Sequence, residues 1–127
     1  MKLLFNGTDI KIFDSSTLEN FFREIEDVED IELWLFADDE QSLCALINKS
    51  WGWLTFLRYP GDVGLSSRSQ EKPKSNGQEL SFKLSNGQVD YYPTQWTMDR
   101  SIVFKAALEF ALSSKRPEFI EWHDDSS

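Results

Sequence analysis

Residues 79–91 constrain the chain most. Leu80, Phe82 and Leu84 alternate with Glu79, Ser81 and Lys83; Ser85-Asn86-Gly87-Gln88 turns the chain; Val89 and Tyr91 then flank Asp90. Apolar–polar alternation marks a strand with one buried face. Asn-Gly suits a two-residue hairpin turn, because both central residues there need positive φ. That turn pairs Leu84 with Val89, Lys83 with Asp90 and Phe82 with Tyr91. Two apolar pairs then share one face and an opposite-charge pair lies on the other, so turn chemistry and pattern agree. The chain therefore contains antiparallel sheet.

The remaining elements follow from periodicity and punctuation. Lys2–Asn6 and Ile10–Phe13 are short apolar runs around Asn6-Gly7, which either pair as a hairpin or form one interrupted strand. Ser16 and Glu19 have capping-box spacing, and Leu18, Phe21, Phe22 and Ile25 make a helical stripe, which predicts a helix over 16–27. Ile31–Ala37 is almost wholly apolar, as in a strand buried on both faces. Ser42–Asn48 and Trp51–Tyr59 read as two more strands. Pro60, Gly61, Gly64, Pro73 and Gly77, with four serines among them, make 60–77 a long mobile loop. Thr97 or Asp99 caps a second helix, in which Met98, Ile102, Ala106 and Phe110 recur every four residues as far as about Ser113. Phe119–Trp122 is a last strand and 123–127 a frayed tail. The expected fold class is α+β: a mostly antiparallel twisted sheet of about five to seven strands, with both helices packed on one face.

A length of 127 residues means one domain. With 40% hydrophobic and 14% aromatic residues the chain is too apolar to be disordered. No apolar run approaches the ~18–20 residues of a membrane span. A single cysteine, Cys44, allows no internal disulfide and fits a reducing cytoplasm. The net charge of −9 is unevenly spread. Residues 1–40 hold 12 carboxylates against 3 basic side chains, and the remainder is neutral. Six of the 12 fall between Glu24 and Glu32, and three more are Asp38, Asp39 and Glu40. Such a field repels nucleic acid and anionic membranes and speeds encounter with a basic partner.

No catalytic constellation emerges, and no metal or cofactor site. Cys44 lies in the apolar run Leu43–Leu46, where a thiol packs as a small core residue. His123 stands beside Trp122 and two aspartates as a surface histidine. Asp38-Asp39-Glu40 lacks the glycine and distant glutamate of a calcium loop. Nothing has the form of a phosphate-cradling loop, and the basic residues make no stripe for nucleic acid. Trp51 and Trp53, at i and i+2, share a strand face and serve as core, as a partner hot spot or as a stacking platform for a small ligand.

A helix ending Ala106-Ala107-Leu108-Glu109-Phe110, a short polar joint, Arg116-Pro117 and a strand closing on Trp122 resemble the first-numbered immunity-protein family of bacterial polymorphic toxin systems. The resemblance implies a small cytoplasmic, non-enzymatic α+β protein that binds and inactivates the C-terminal domain of a cognate toxin. Known partners of the family include basic nucleases and nucleic-acid deaminases, some delivered by contact-dependent growth inhibition. It also implies structural roles for Phe110, Pro117 and Trp122. The family usually has glycine where Ser114 stands, which bears on the helix C-cap. Joined to the charge pattern, it makes Asp27, Asp30, Asp38, Asp39 and Glu40, with Trp51 and Trp53 as aromatic anchors, the expected partner-binding residues. The competing expectation is a small binding module or adaptor that uses the aromatic face for a peptide or metabolite.

Overall fold

A computed structural model describes residues 1–69 and 78–126. It is an α+β fold with an antiparallel sheet, as expected. In chain order the strands are β1 (Lys2–Phe5), β2 (Thr8–Ile10), β3 (Asp30–Phe36), β4 (Ser42–Asn48), β5 (Trp51–Leu57), β6 (Leu65–Arg68), β7 (Glu79–Lys83), β8 (Val89–Pro93), β9 (Met98–Asp99) and β10 (Glu121–Asp124). The helices are α1 (Ser15–Glu24) and α2 (Arg100–Ser113). The main sheet runs β10-β6-β5-β4-β3-β1-β2, with β9 against the free part of β5, while β7 and β8 form a separate hairpin. Both edges of the main sheet are short and charged, which discourages pairing with another chain.

Strand parity divides the molecule into layers. Leu3, Ile31, Leu33, Leu35, Leu43, Ala45, Ile47, Leu54 and Phe56 point to the helices and form the large core with Leu18, Val103, Ala107 and Phe110. On the opposite face Cys44, Leu46 and Trp53 pack under the hairpin, chiefly against Phe82. The strand buried on both faces is β4; in β3 buried residues alternate with half-buried ones, because the hairpin covers only part of that face.

Asn6 and Gly7, both at positive φ, close β1 and β2 into a hairpin. Helix α1 starts one residue earlier than expected, because Asp14 and not Ser16 caps it: its carboxylate accepts from Thr17 N and Oγ1, each at 2.8 Å. It ends at Glu24, and 25–27 turn back towards β3. For α2 the cap is Asp99, accepting from Ser101 N at 2.8 Å. Gly52 lets this helix lie close on β5: a Cβ there would stand 2.6 Å from Val103 Cγ2.

Three expectations are corrected. The β7–β8 register is shifted by one residue, pairing Lys83 with Val89, Phe82 with Asp90 and Leu80 with Tyr92. Leu84 N donates to Gln88 O at 2.8 Å and Gly87 N to Leu84 O at 3.0 Å, so the loop is Ser85-Asn86-Gly87, a three-residue loop with Gly87 at φ +90°. A one-residue slip exchanges the faces. Val89 and Tyr91 are therefore exposed, and Tyr92 turns inward onto Trp53, ring centroids 3.7 Å apart. Second, the expected 60–77 loop contains β6, whose Ser66 and Ser67 are buried; Ser67 Oγ accepts from Leu54 N at 2.9 Å. The part of that loop at 70–77 lies outside the described residues. Third, the last strand lies later than Phe119–Trp122 and takes in His123 and Asp124 of the expected frayed tail. Asp125 N donates to Gly64 O at 3.0 Å, and its carboxylate accepts from Ser66 Oγ at 3.0 Å. Ser127 lies outside the described residues.

Candidate functional site

The acidic residues divide between two ends of the sheet. β3 separates them: Asp30 opens the strand, and Asp38 follows its far end. Eight residues at ~3.3 Å rise put roughly 26 Å between the two groups.

The first end gathers Glu24, Glu26, Asp27, Glu29, Asp30 and Glu32 near the connection from α1 to β3. Asp27 is exposed and Asp30 half-buried. Arg100 reaches across from the start of α2. Its guanidinium donates to the carbonyls of Val28 and Ile25 (2.7 Å for Ile25) and of Lys49 (3.2 Å). Burial lowers its pKa, and the nearby carboxylates of Asp27 and Glu26 oppose that shift by favouring its charge. Asp30 meets Lys83 at 3.7 Å. Glu32 accepts from Ser85 Oγ at 2.6 Å and so pins the hairpin tip. Trp51 is half-buried here: the β3–β4–β5 register puts it in one row with Asn48 and Asp30.

Trp53 is elsewhere in kind. It is 7% exposed and stacked against Tyr92 under the hairpin, so it supports the surface from inside instead of contributing to it. The paired-indole platform is thus split between core and rim. That also removes the aromatic face that a peptide- or metabolite-binding module would use at Trp53.

At the second end Asp38, Asp39 and Glu40 form the β3–β4 turn, all exposed, with Glu40 at φ +71°. Asp39 accepts from Gln41 N at 3.2 Å, and none of the three has an ion pair among the described residues. The neighbouring Arg58 is committed elsewhere, its guanidinium holding both oxygens of Asp62 at 2.8 and 3.0 Å. That bidentate bond, opposed by desolvation, holds the Asp62 carboxyl far below the usual carboxylate range. Tyr59, two residues past the end of β5, is 54% exposed.

The other reactive side chains have structural surroundings. Cys44 is buried, and desolvation, then the charges of Glu32 and Asp90, push its thiol pKa well up, away from the nucleophilic thiolate. His123 Nε2 lies 3.8 Å from Asp125 at the edge of the sheet. Among the described residues no three His, Cys, Asp or Glu side chains converge as metal ligands, and no helix is long and apolar enough to cross a membrane.

The C-terminal motif is the closure of the large core. Phe110 is fully buried and meets Phe56 edge-on, centroids 5.9 Å apart. Ser114 takes the left-handed conformation, φ 57°, where glycine has no steric cost, and its N–H bonds Phe110 O at 2.8 Å. Pro117 is buried and its carbonyl accepts from Trp122 Nε1 at 2.9 Å, which lays the indole beside Phe56. A family model described as immunity protein Imm1 matches residues 16–124, from the first turn of α1 to the end of β10. No curated protein matches the chain. The match spans both helices and eight of the ten strands, all but β1 and β2 of the opening hairpin, and it includes the Phe110–Pro117–Trp122 closure; the chain belongs to the Imm1 family of immunity proteins.

Proposed function

We propose that this protein neutralises a cognate bacterial toxin by binding its C-terminal domain, a basic domain that acts on nucleic acid as a nuclease or deaminase. Membership in the family carries the coarser statement, an immunity protein directed against a toxin. One observation carries the finer one: 12 of the 22 carboxylates lie in the first 40 residues, with only 3 basic side chains among them. A toxin that acts on nucleic acid needs a positive surface for phosphates, and a carboxylate-rich protein complements it. Protection comes from occupancy and not turnover. The same field draws the toxin in at steered rates, as defence of the cytoplasm requires, and disfavours direct contact with nucleic acid or anionic membrane. Of the expected contact residues, Asp38, Asp39 and Glu40 are the proposed direct contacts, while Asp27, Asp30 and Trp51, at the other end of β3, add to the acidic field; Trp53 lies in the core.

The test pairs the purified protein with the toxin domain encoded beside its gene. Stable binding in vitro, with growth rescued when both are expressed, supports the proposal. Charge reversal across the five acids should slow association and flatten its salt dependence. A wild-type protein that neither binds that domain nor rescues growth overturns it.

A further inference from the structure

Resting on the immunity reading, we infer that the toxin domain docks on the end of the sheet that carries Asp38–Glu40, seating one apolar side chain in the pocket between Phe13 and Leu112. The pocket has a volume of about 160 Å³, close to that of a cavity that admits a benzene ring. Its floor is Leu3, Leu18 and Leu35, and its rim carries Phe13, Met1 and Leu112. Those rim residues are 85%, 37% and 62% exposed, whereas Phe56, Phe82 and Phe110 are almost fully buried.

Helix capping explains the opening. Asp14 is the N-cap of α1, so Phe13 and Leu18 hold the N′ and N4 positions, whose side chains commonly close on each other as a hydrophobic staple. Here Leu18 is 1% exposed in the floor while Phe13 stands outside, and both line the cavity. The staple is open, and an apolar side chain entering between them would complete it.

Charge gives the occupant its chemistry. The β1–β3 register pairs Leu3 with Leu35 and Lys2 with Phe36; continued by one step it sets Met1 opposite Ala37, immediately before Asp38. The three carboxylates, without an ion pair among the described residues, therefore follow the strand whose Leu35 lines the pocket. Beyond the end of β5, Tyr59 and Val63 are 54% and 64% exposed. Lys2 is the nearest basic side chain on β1, and it lies over the Phe36 ring, 5.9 Å from its centroid, on the sheet face away from the helices. Apolar anchors beside unneutralised acids fit a protein that offers an aromatic or aliphatic side chain within a basic surround. The opposite end has acids as well, but there Lys83 pairs with Asp30 and the charge of Arg100 lies near Asp27 and Glu26.

Phe13→Ser with Leu112→Ser alters two exposed side chains, so the unfolding midpoint should stay at the wild-type value. Against the toxin domain encoded beside the gene, the double variant should dissociate about tenfold faster or more, with the low-salt on-rate within about twofold of wild type. Asp38→Lys with Asp39→Lys should show the reverse split. If wild type binds and the Phe13/Leu112 variant keeps its dissociation rate, the docking surface lies elsewhere and the immunity reading stands. If wild type neither binds nor protects, both fall. If wild type alone forms a concentration-dependent dimer that the double variant abolishes, the occupant is a second copy of this chain, and the inference is overturned.

Discussion

At the Asp27–Asp30 end of the sheet, carboxylates surround a cation: Arg100 ties three carbonyls there, and Lys83 meets Asp30. At the Asp38–Glu40 end, the guanidinium of Arg58 is already held by Asp62 and Asp124, and the three exposed turn carboxylates have no ion pair among the described residues. Equal residue types thus do different work. Charge answered from inside holds loops and layers in position, while charge left unanswered projects a field. The second kind steers a partner, and it stands beside exposed apolar side chains suited to holding one.

Breaking the first end should have the largest effect on stability. Arg100→Ala strands the carbonyls of Ile25, Val28 and Lys49, and loss of such charged hydrogen bonds should cost about 2–3 kcal/mol. Urea unfolding should report a lower midpoint with an unchanged slope. At the second end Asp62 is the exception that defines the rule, since it is paired inward. Its folded pKa is depressed, so its contribution is fully present above the unfolded carboxylate value near 4 and is lost as pH falls through the lower folded value. Asp62→Asn should therefore lower Tm at pH 7 and narrow the drop in Tm on acidification; an unchanged drop would remove this pair from the acid response. Ser114→Gly should stabilise by about 0.5–1 kcal/mol, because the residue sits at φ 57°. Lys83→Ala tests the weakest link. Its pair with Asp30 is exposed, and a loss beyond ~1 kcal/mol would mean that the first end is held more by surface charge than by Arg100.

Much of the layered fold is legible in local chemistry. The stripes of α1 and α2, the apolar runs of β3, β4 and β5, and Asp99 as one of two cap candidates all follow from periodicity and side-chain hydrogen bonding. The β7–β8 register is not local. Asn86-Gly87 fits a two-residue turn or the tail of a three-residue loop, and the observed choice brings Tyr92 onto Trp53, 39 positions away along the chain. β6 is hidden for a related reason: Leu65-Ser66-Ser67-Arg68 has loop composition, and its hydroxyls are satisfied by Leu54 and Asp125, distant in sequence. Of the candidate site, the acidic surplus is countable, but which acids lie near a cation depends on Arg100, more than seventy residues beyond Ile25 and Val28. The pocket had a signal that reading Ser16 as the cap concealed. With Asp14 as N-cap, Phe13 and Leu18 stand at staple spacing.

The decisive measurement is the association rate with the toxin domain as a function of salt, for wild type, Asp38→Lys/Asp39→Lys and Asp27→Lys/Asp30→Lys. The first pair should lower the low-salt on-rate about tenfold and flatten its salt dependence, while the second pair changes it by about threefold or less. Equal effects at both ends, or none at either, would contradict the account.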